Sequence, residues 1–179
     1  SEWSILFEVF DYKLLALANA QGSSALDLFF HAATWLGSLW LLVPSCVAAF
    51  LFCRGRLRVH AWQISTTLLA TALVVLVLKN LFLRARPGLF PSLISMPPDA
   101  AFPSGHAAQM ASVAAAIWLV APTRWRLALG LVLLALSLAV GWSRIYLQVH
   151  WPSDILGGWA IGFLVAGLVD LAFRRRAAR

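Results

Sequence analysis

From Leu26 to Phe173 the sequence is a series of long apolar runs broken by short polar islands. About 20 apolar residues span the hydrocarbon of a bilayer as one helix, which satisfies its own backbone there. The runs extend from about Leu26 to Phe52, Ala61 to Phe82, Gly105 to Val120, Trp125 to Trp142 and Ile155 to Phe173. They predict an all-α fold, a polytopic membrane helix bundle of about five transmembrane helices. The third and fourth runs are short. Pro44 predicts a kink in the first. Gly130 and Gly141 in the fourth run, and Gly157, Gly158, Gly162 and Gly167 in the fifth, allow close approach of helices. Composition agrees: 61% of residues are hydrophobic and 12% charged, where a soluble domain is nearer half apolar and about a quarter charged. The 179 residues read as a single membrane-integral domain, with 26–173 as the bundle.

The first 22 residues have another pattern. Leu6, Phe10, Leu14 and Leu17 recur at helical spacing with Phe7 beside them, and Glu8, Asp11 and Tyr12 lie opposite. This predicts an N-terminal amphipathic helix along the membrane interface, with Lys13 snorkelling from its apolar side. The initial Ser-Glu carries no basic region, so no cleavable signal peptide is expected. Net charge is +7, but the basic residues fall in clusters between apolar runs and form no stripe for nucleic acid. They orient the bundle instead. Arg54, Arg56, Arg58, Arg124, Arg126, Arg174, Arg175, Arg176 and Arg179 share one set of helix ends, the expected cytoplasmic side. Lys13, Lys79, Arg84, Arg86 and Arg144 share the other with Glu2, Glu8, Asp11, Asp27, Asp99 and Asp154. That side is expected to face outward, the periplasm in a Gram-negative host. Cys46 and Cys53, seven positions apart, stand about 10 Å apart along a helix, too far for a disulfide. They read as packing residues.

Three polar islands remain. "KNLFLRARP" closes the second run with Lys79, Arg86 and Pro87; "PSGH" opens the third at Pro103–His106; "SRIYLQVHWPSD" joins the fourth to the fifth and holds Ser143, Arg144, His150 and Asp154. Successive helices run in opposite directions, so all three islands fall at one membrane face. Each alone has an ordinary structural explanation. Lys79 can snorkel, Arg84 and Arg86 can anchor at the interface, and Ser104-Gly105 can be an N-cap and turn. His106 can be an interface histidine. His150 and Asp154 can be a pair at a helix start, with Pro152 in its first turn. Asp27 and His31 have the i,i+4 spacing of a structural contact. Together the islands bring three cations, two imidazoles, a carboxylate and a helix N-terminus to one place. That is a cage for a phosphoryl group. The sequence has no Asp/Glu cluster or Cys/His pattern for a metal, so the cations are expected to neutralise the phosphate, with no metal or cofactor.

The spacings K-x6-R-P, P-S-G-H and S-R-x5-H-x3-D, in order across Leu76 to Gly158, resemble the type-2 phosphatidic acid phosphatase superfamily in its membrane branch. The resemblance implies that His150 is a nucleophile forming a phosphohistidine and that Asp154 holds its other ring nitrogen. His106 would protonate the leaving oxygen and then activate water. Lys79, Arg86, Arg144, the Ser104 hydroxyl and the Gly105 N–H would bind phosphoryl oxygens. The implied substrate is a lipid phosphate or pyrophosphate of the bilayer, handled at the outer face of a bacterial inner membrane. Undecaprenyl pyrophosphate is the first choice, ahead of lipid A 1-phosphate, phosphatidylglycerol phosphate and phosphatidic acid. Vanadate-dependent haloperoxidases use a similar cage but are soluble, and a non-catalytic lipid-phosphate binder needs no nucleophile. The loop Gly88–Ala101 carries Leu89, Phe90, Leu93, Ile94 and Met96. It is either a lid dipping into the outer leaflet or a loop packed on the bundle. Nothing in the sequence fixes an oligomeric state.

Overall fold

Every apolar run becomes helix in the computed structural model, which describes residues 2–178. In order come α1 (Glu2–Ala20), α2 (Ser24–Trp35), α3 (Leu39–Phe52), α4 (Arg56–Phe82), α5 (Gly105–Val120), α6 (Arg126–Tyr146) and α7 (Pro152–Ala177). A 3-10 turn at Thr123–Trp125 leads into α6. Among the described residues there is no strand. Arg179 lies outside the described residues.

α4, α7, and α6 with its leading turn are each long and apolar enough to cross a membrane. α2 and α3 pass that test only as a pair, bent by 45°. α5 has 16 residues and does not pass it alone. Three to four candidate spans therefore stand where the sequence predicts about five. α5 can be short because it occupies the middle of the bundle. Ala107 to Ala114 are all buried, so it presents no broad stripe to lipid.

The first apolar run is not one kinked helix. It breaks at Gly37–Ser38, while Pro44 sits inside α3. A glycine is required at the break. A Cβ on Gly37 would lie 2.7 Å from the His106 carbonyl oxygen and 2.7 Å from Val140. The chain must pass these groups without a side chain, and Ser38 then starts α3 by accepting the Trp40 N–H at 3.2 Å.

The bundle is polar inside and apolar outside along α4. Gln63, Thr67, Thr71, Val75 and Lys79 recur every fourth residue and are buried, whereas Leu69, Leu73, Leu76 and Val77 are exposed. Thr67 and Thr71 donate to Gln63 and Thr67 carbonyls at 2.9 and 2.8 Å, so their hydroxyls need no outside partner. α5 packs most extensively on α7. A Cβ at Gly158 would stand 2.7 Å from the Ser104 carbonyl oxygen and 3.1 Å from Ala107 Cβ; at Gly162 it would stand 2.9 Å from Ala111 Cβ. The expected close approach is also met at Gly141, where a Cβ would stand 2.4 Å from Trp159, and at Gly130, 3.0 Å from Trp118; one on Gly157 would meet Phe102 at 2.4 Å, and Gly167 faces open space.

In α1 the apolar residues Leu6, Phe10 and Leu17 are exposed, as are Glu8 and Tyr12 of the polar side, while Leu15 and Ala18 are buried against the bundle. Asp11 departs from its polar neighbours and is buried too.

Candidate active site

The three islands meet at one end of the bundle, and backbone geometry explains how. α4 ends on Leu83, whose φ of 48° is left-handed, and this turns the chain sharply into Arg84–Pro87. Ser104 caps α5, and its N–H donates to the Asp154 carbonyl at 3.1 Å, tying the second island to the third. After α6, Gln148 takes φ 61°, and the Arg144 carbonyl accepts from both Val149 and His150 N–H groups at 3.2 and 3.3 Å. That tight turn folds His150 back beside Arg144.

His150 is 2% exposed. Arg86 Nη1 lies 3.1 Å from His150 Nε2, and His150 Nδ1 lies 3.3 Å from Asp154 Oδ2. A guanidinium only donates, so Nε2 must accept and the ring proton sits on Nδ1, shared with the carboxylate. Burial, followed by the charges of Arg144, Arg86 and Lys79, pushes the His150 imidazole well below its usual pKa despite Asp99 nearby. His150 is therefore neutral, with a lone pair aimed among cations. Half-buried His106, in the first turn of α5, lies within reach of the Arg144, Lys79 and Arg86 charges.

Arg144 is 3% exposed, and its Nη1 donates to Thr34 Oγ1 at 2.8 Å. Its buried Nε has no partner among the described residues. An orphaned charged donor of this kind is expensive unless an anion completes it. Ser104 is fully buried, and its hydroxyl accepts the Ala107 N–H at 3.5 Å. Gly105 opens α5 and puts its N–H at the positive helix end. Lys79, Arg86, Ser104, Gly105, His106, Arg144, His150 and Asp154 are thus brought to the same end of the bundle.

Several contributors were not singled out from sequence. Asp99 lies between two cage cations: Lys79 Nζ is 2.8 Å from its Oδ2, and Arg86 Nη2 is 2.7 Å from its Oδ1. Burial raises its pKa, but hydrogen bonds and charge from Lys79 and Arg86 outweigh that and hold it at about 2. Lys79 also donates to the Ala100 carbonyl. Thr34, from the helix before the Gly37 break, holds Arg144. The one legible signal was an acid four residues before "PSGH". Asp27 and His31 form a contact, but through the Asp27 carbonyl, 2.7 Å from His31 Nδ1; the Asp27 carboxylate instead accepts from Tyr146 Oη at 2.6 Å. In the Gly88–Ala101 loop the apolar residues divide. Phe90 and Ile94 pack on the core, while Leu89, Leu93 and Met96 are exposed.

Three cations gathered around a buried histidine–aspartate pair, at one end of an apolar helix bundle, are the chemistry that suits binding and transfer of a phosphoryl group. The PAP2 superfamily model matches residues 60–177, and the chain belongs to this superfamily. It is a multi-pass membrane lipid phosphatase. It is 28% identical over 167 residues to an undecaprenyl-diphosphatase of Sulfolobus acidocaldarius, covering 89% of this chain and 76% of that protein. It is 28% identical over 163 residues to a lipid A 1-phosphatase of Rhizobium etli, covering 77% and 67%. The crystal structure of a transmembrane PAP2-type phosphatidylglycerolphosphate phosphatase from Bacillus subtilis superposes with a TM-score of 0.79 at 25% identity, covering 94% of this chain and 86% of that one.

Proposed function

We propose that the enzyme removes the terminal phosphate of a lipid pyrophosphate, undecaprenyl pyrophosphate first, at the outer face of a bacterial cytoplasmic membrane. Lipid A 1-phosphate, phosphatidylglycerol phosphate and phosphatidic acid are the alternative substrates. On this reading α2–α3, α4, α5, α6 and α7 make five crossings, with α5 completing its own inside a shell of the others. The observation that carries the reading is the His150 ring, neutral and proton-sharing with Asp154, with Nε2 facing Arg86.

Nε2 attacks phosphorus as the bond from phosphorus to the lipid-side oxygen breaks. His106 gives a proton to that oxygen. The positive charge left on His150 is steadied by Asp154. Water, deprotonated by His106, then attacks phosphorus; the P–N bond breaks, and phosphate leaves with His150 neutral again. Lys79, Arg86, Arg144, Ser104 and the Gly105 N–H hold the phosphoryl oxygens as charge builds on them. The depressed pKa means that His150 remains unprotonated below the usual histidine range. The acid limb it contributes to kcat/KM therefore falls below pH ~6.5.

Asp99 is the anion that the substrate phosphate displaces from Lys79 and Arg86. Asp99→Asn is expected to lower the inhibition constant of orthovanadate about three- to ten-fold, a small effect because Asp99 is half exposed. Weaker vanadate inhibition in this variant would instead make Asp99 a support for the two cations. The substrate assignment is tested by kcat/KM for phosphate release from a panel of purified lipid phosphates in detergent. Undecaprenyl pyrophosphate should lead; a tenfold higher value for lipid A 1-phosphate would replace it.

A further inference from the structure

We propose that Asp11 and Arg84 are positioning residues for the Asp154–His150 pair, which makes the N-terminal helix part of the active site. The inference rests on reading His150 as the nucleophile. Asp11 is 2% exposed, although Glu8, one turn earlier on α1, is exposed. A carboxylate is buried at this cost only where its oxygens are engaged. Asp11 Oδ1 accepts the Ser153 N–H at 2.8 Å, and Oδ2 accepts the Ser153 hydroxyl at 2.6 Å and Arg84 Nη2 at 2.8 Å. Ser153 is the second residue of α7, where the N–H has no partner within the helix. Asp11 therefore caps α7 from another helix, and its negative charge meets the positive end of the α7 dipole.

The next residue is Asp154. Arg84 Nη1 donates to its Oδ1 at 2.6 Å and to Ser153 Oγ at 2.7 Å. The two Asp154 oxygens are thereby divided. Oδ1 belongs to Arg84, and Oδ2 serves the Trp151 N–H at 2.9 Å and His150 Nδ1 at 3.3 Å. A guanidinium is a rigid planar fork. Anchoring Nη2 on Asp11 thus fixes where Nη1 meets Asp154, and so fixes the rotation of the carboxylate that holds the His150 proton. Among the described residues, the side-chain hydrogen bonds of Arg84 go to Asp11, Ser153 and Asp154, away from the phosphate cage. Its charge also lies over the Trp151 ring, 5.7 Å from the centroid. The opposite face of α1 exposes Leu6, Phe10 and Leu17.

The test uses full-length Asp11→Asn, Arg84→Gln and the double variant in detergent, with orthovanadate titration counting intact cages. We expect kcat to fall about 10- to 100-fold, the loss typical of a misplaced reacting group. KM should change less than twofold, and vanadate affinity and stoichiometry should be those of the parent. The double variant should be no slower than Arg84→Gln, because the residues act in series. A parental kcat in Asp11→Asn would overturn the proposal. So would a kcat that falls only in proportion to lost vanadate sites, or losses that multiply in the double variant. Should Asp11→Asn not fold, Ser153→Ala keeps both charges and removes only the hydroxyl bridge; it should lower kcat several-fold at unchanged vanadate binding, and a parental kcat there counts against the proposal. A parent enzyme that neither binds vanadate nor releases phosphate would refute the phosphatase reading itself, not this inference.

Discussion

His150→Ala is expected to abolish phosphate release from every lipid phosphate tested while leaving the helices folded. Loss of a nucleophile costs on the order of 10⁴-fold or more, since the remaining groups only bind and polarise. The fold should survive because neither neighbour is stranded. Arg86 keeps the Val149 carbonyl at 2.7 Å and Asp99, and Asp154 keeps Arg84 and the Trp151 N–H. His106→Ala should lose about 10²–10⁴-fold, the range for one general acid–base group. Phosphate release in detergent measures both, with helix content by circular dichroism as the control. Full activity in His150→Ala would remove the mechanism.

The second large effect is expected from Gly158→Val, which introduces no charge and touches no phosphate. Its Cβ would stand 2.7 Å from the Ser104 carbonyl oxygen and 3.1 Å from the Ala108 nitrogen. These are backbone atoms of α5's first turn, so no rotamer change relieves them; α5 and α7 must part. Overpacking of this kind costs about 1–3 kcal/mol. The parting also lengthens the 3.1 Å link from Ser104 N–H to the Asp154 carbonyl, and a shift of about 1 Å at reacting groups can cost about 10²-fold. Thermal unfolding in detergent should show a lowered Tm, and kcat should fall at least tenfold. A parental Tm and kcat would mean that the two helices are not held this closely.

The class of fold was legible because lipid demands whole helices, and apolar runs report that directly. The count was less so. α5 has the length of a partial span since its neighbours, rather than lipid, surround it, and hydropathy does not distinguish these two apolar environments. In α1 the same ambiguity falls on one residue: Asp11 is polar like the exposed Glu8 and Tyr12, yet it is buried because Arg84 and Ser153 wait beside it. Pro44 drew attention from Gly37, whose role depends on the His106 backbone passing beside it. The cage residues were readable by spacing; their supports were not, because Thr34 and Asp99 reach the site from segments with no motif of their own and Arg84 fills a variable position inside one.

The central claim is a covalent phosphoryl group on one imidazole. Quenching the enzyme in alkali during turnover of a lipid substrate labelled in its terminal phosphate, and mapping the label by peptide, tests it directly. The account predicts acid-labile, base-stable label on the peptide containing His150 and none in His150→Ala. Label on another residue, or none at quench times shorter than a single turnover, would contradict it.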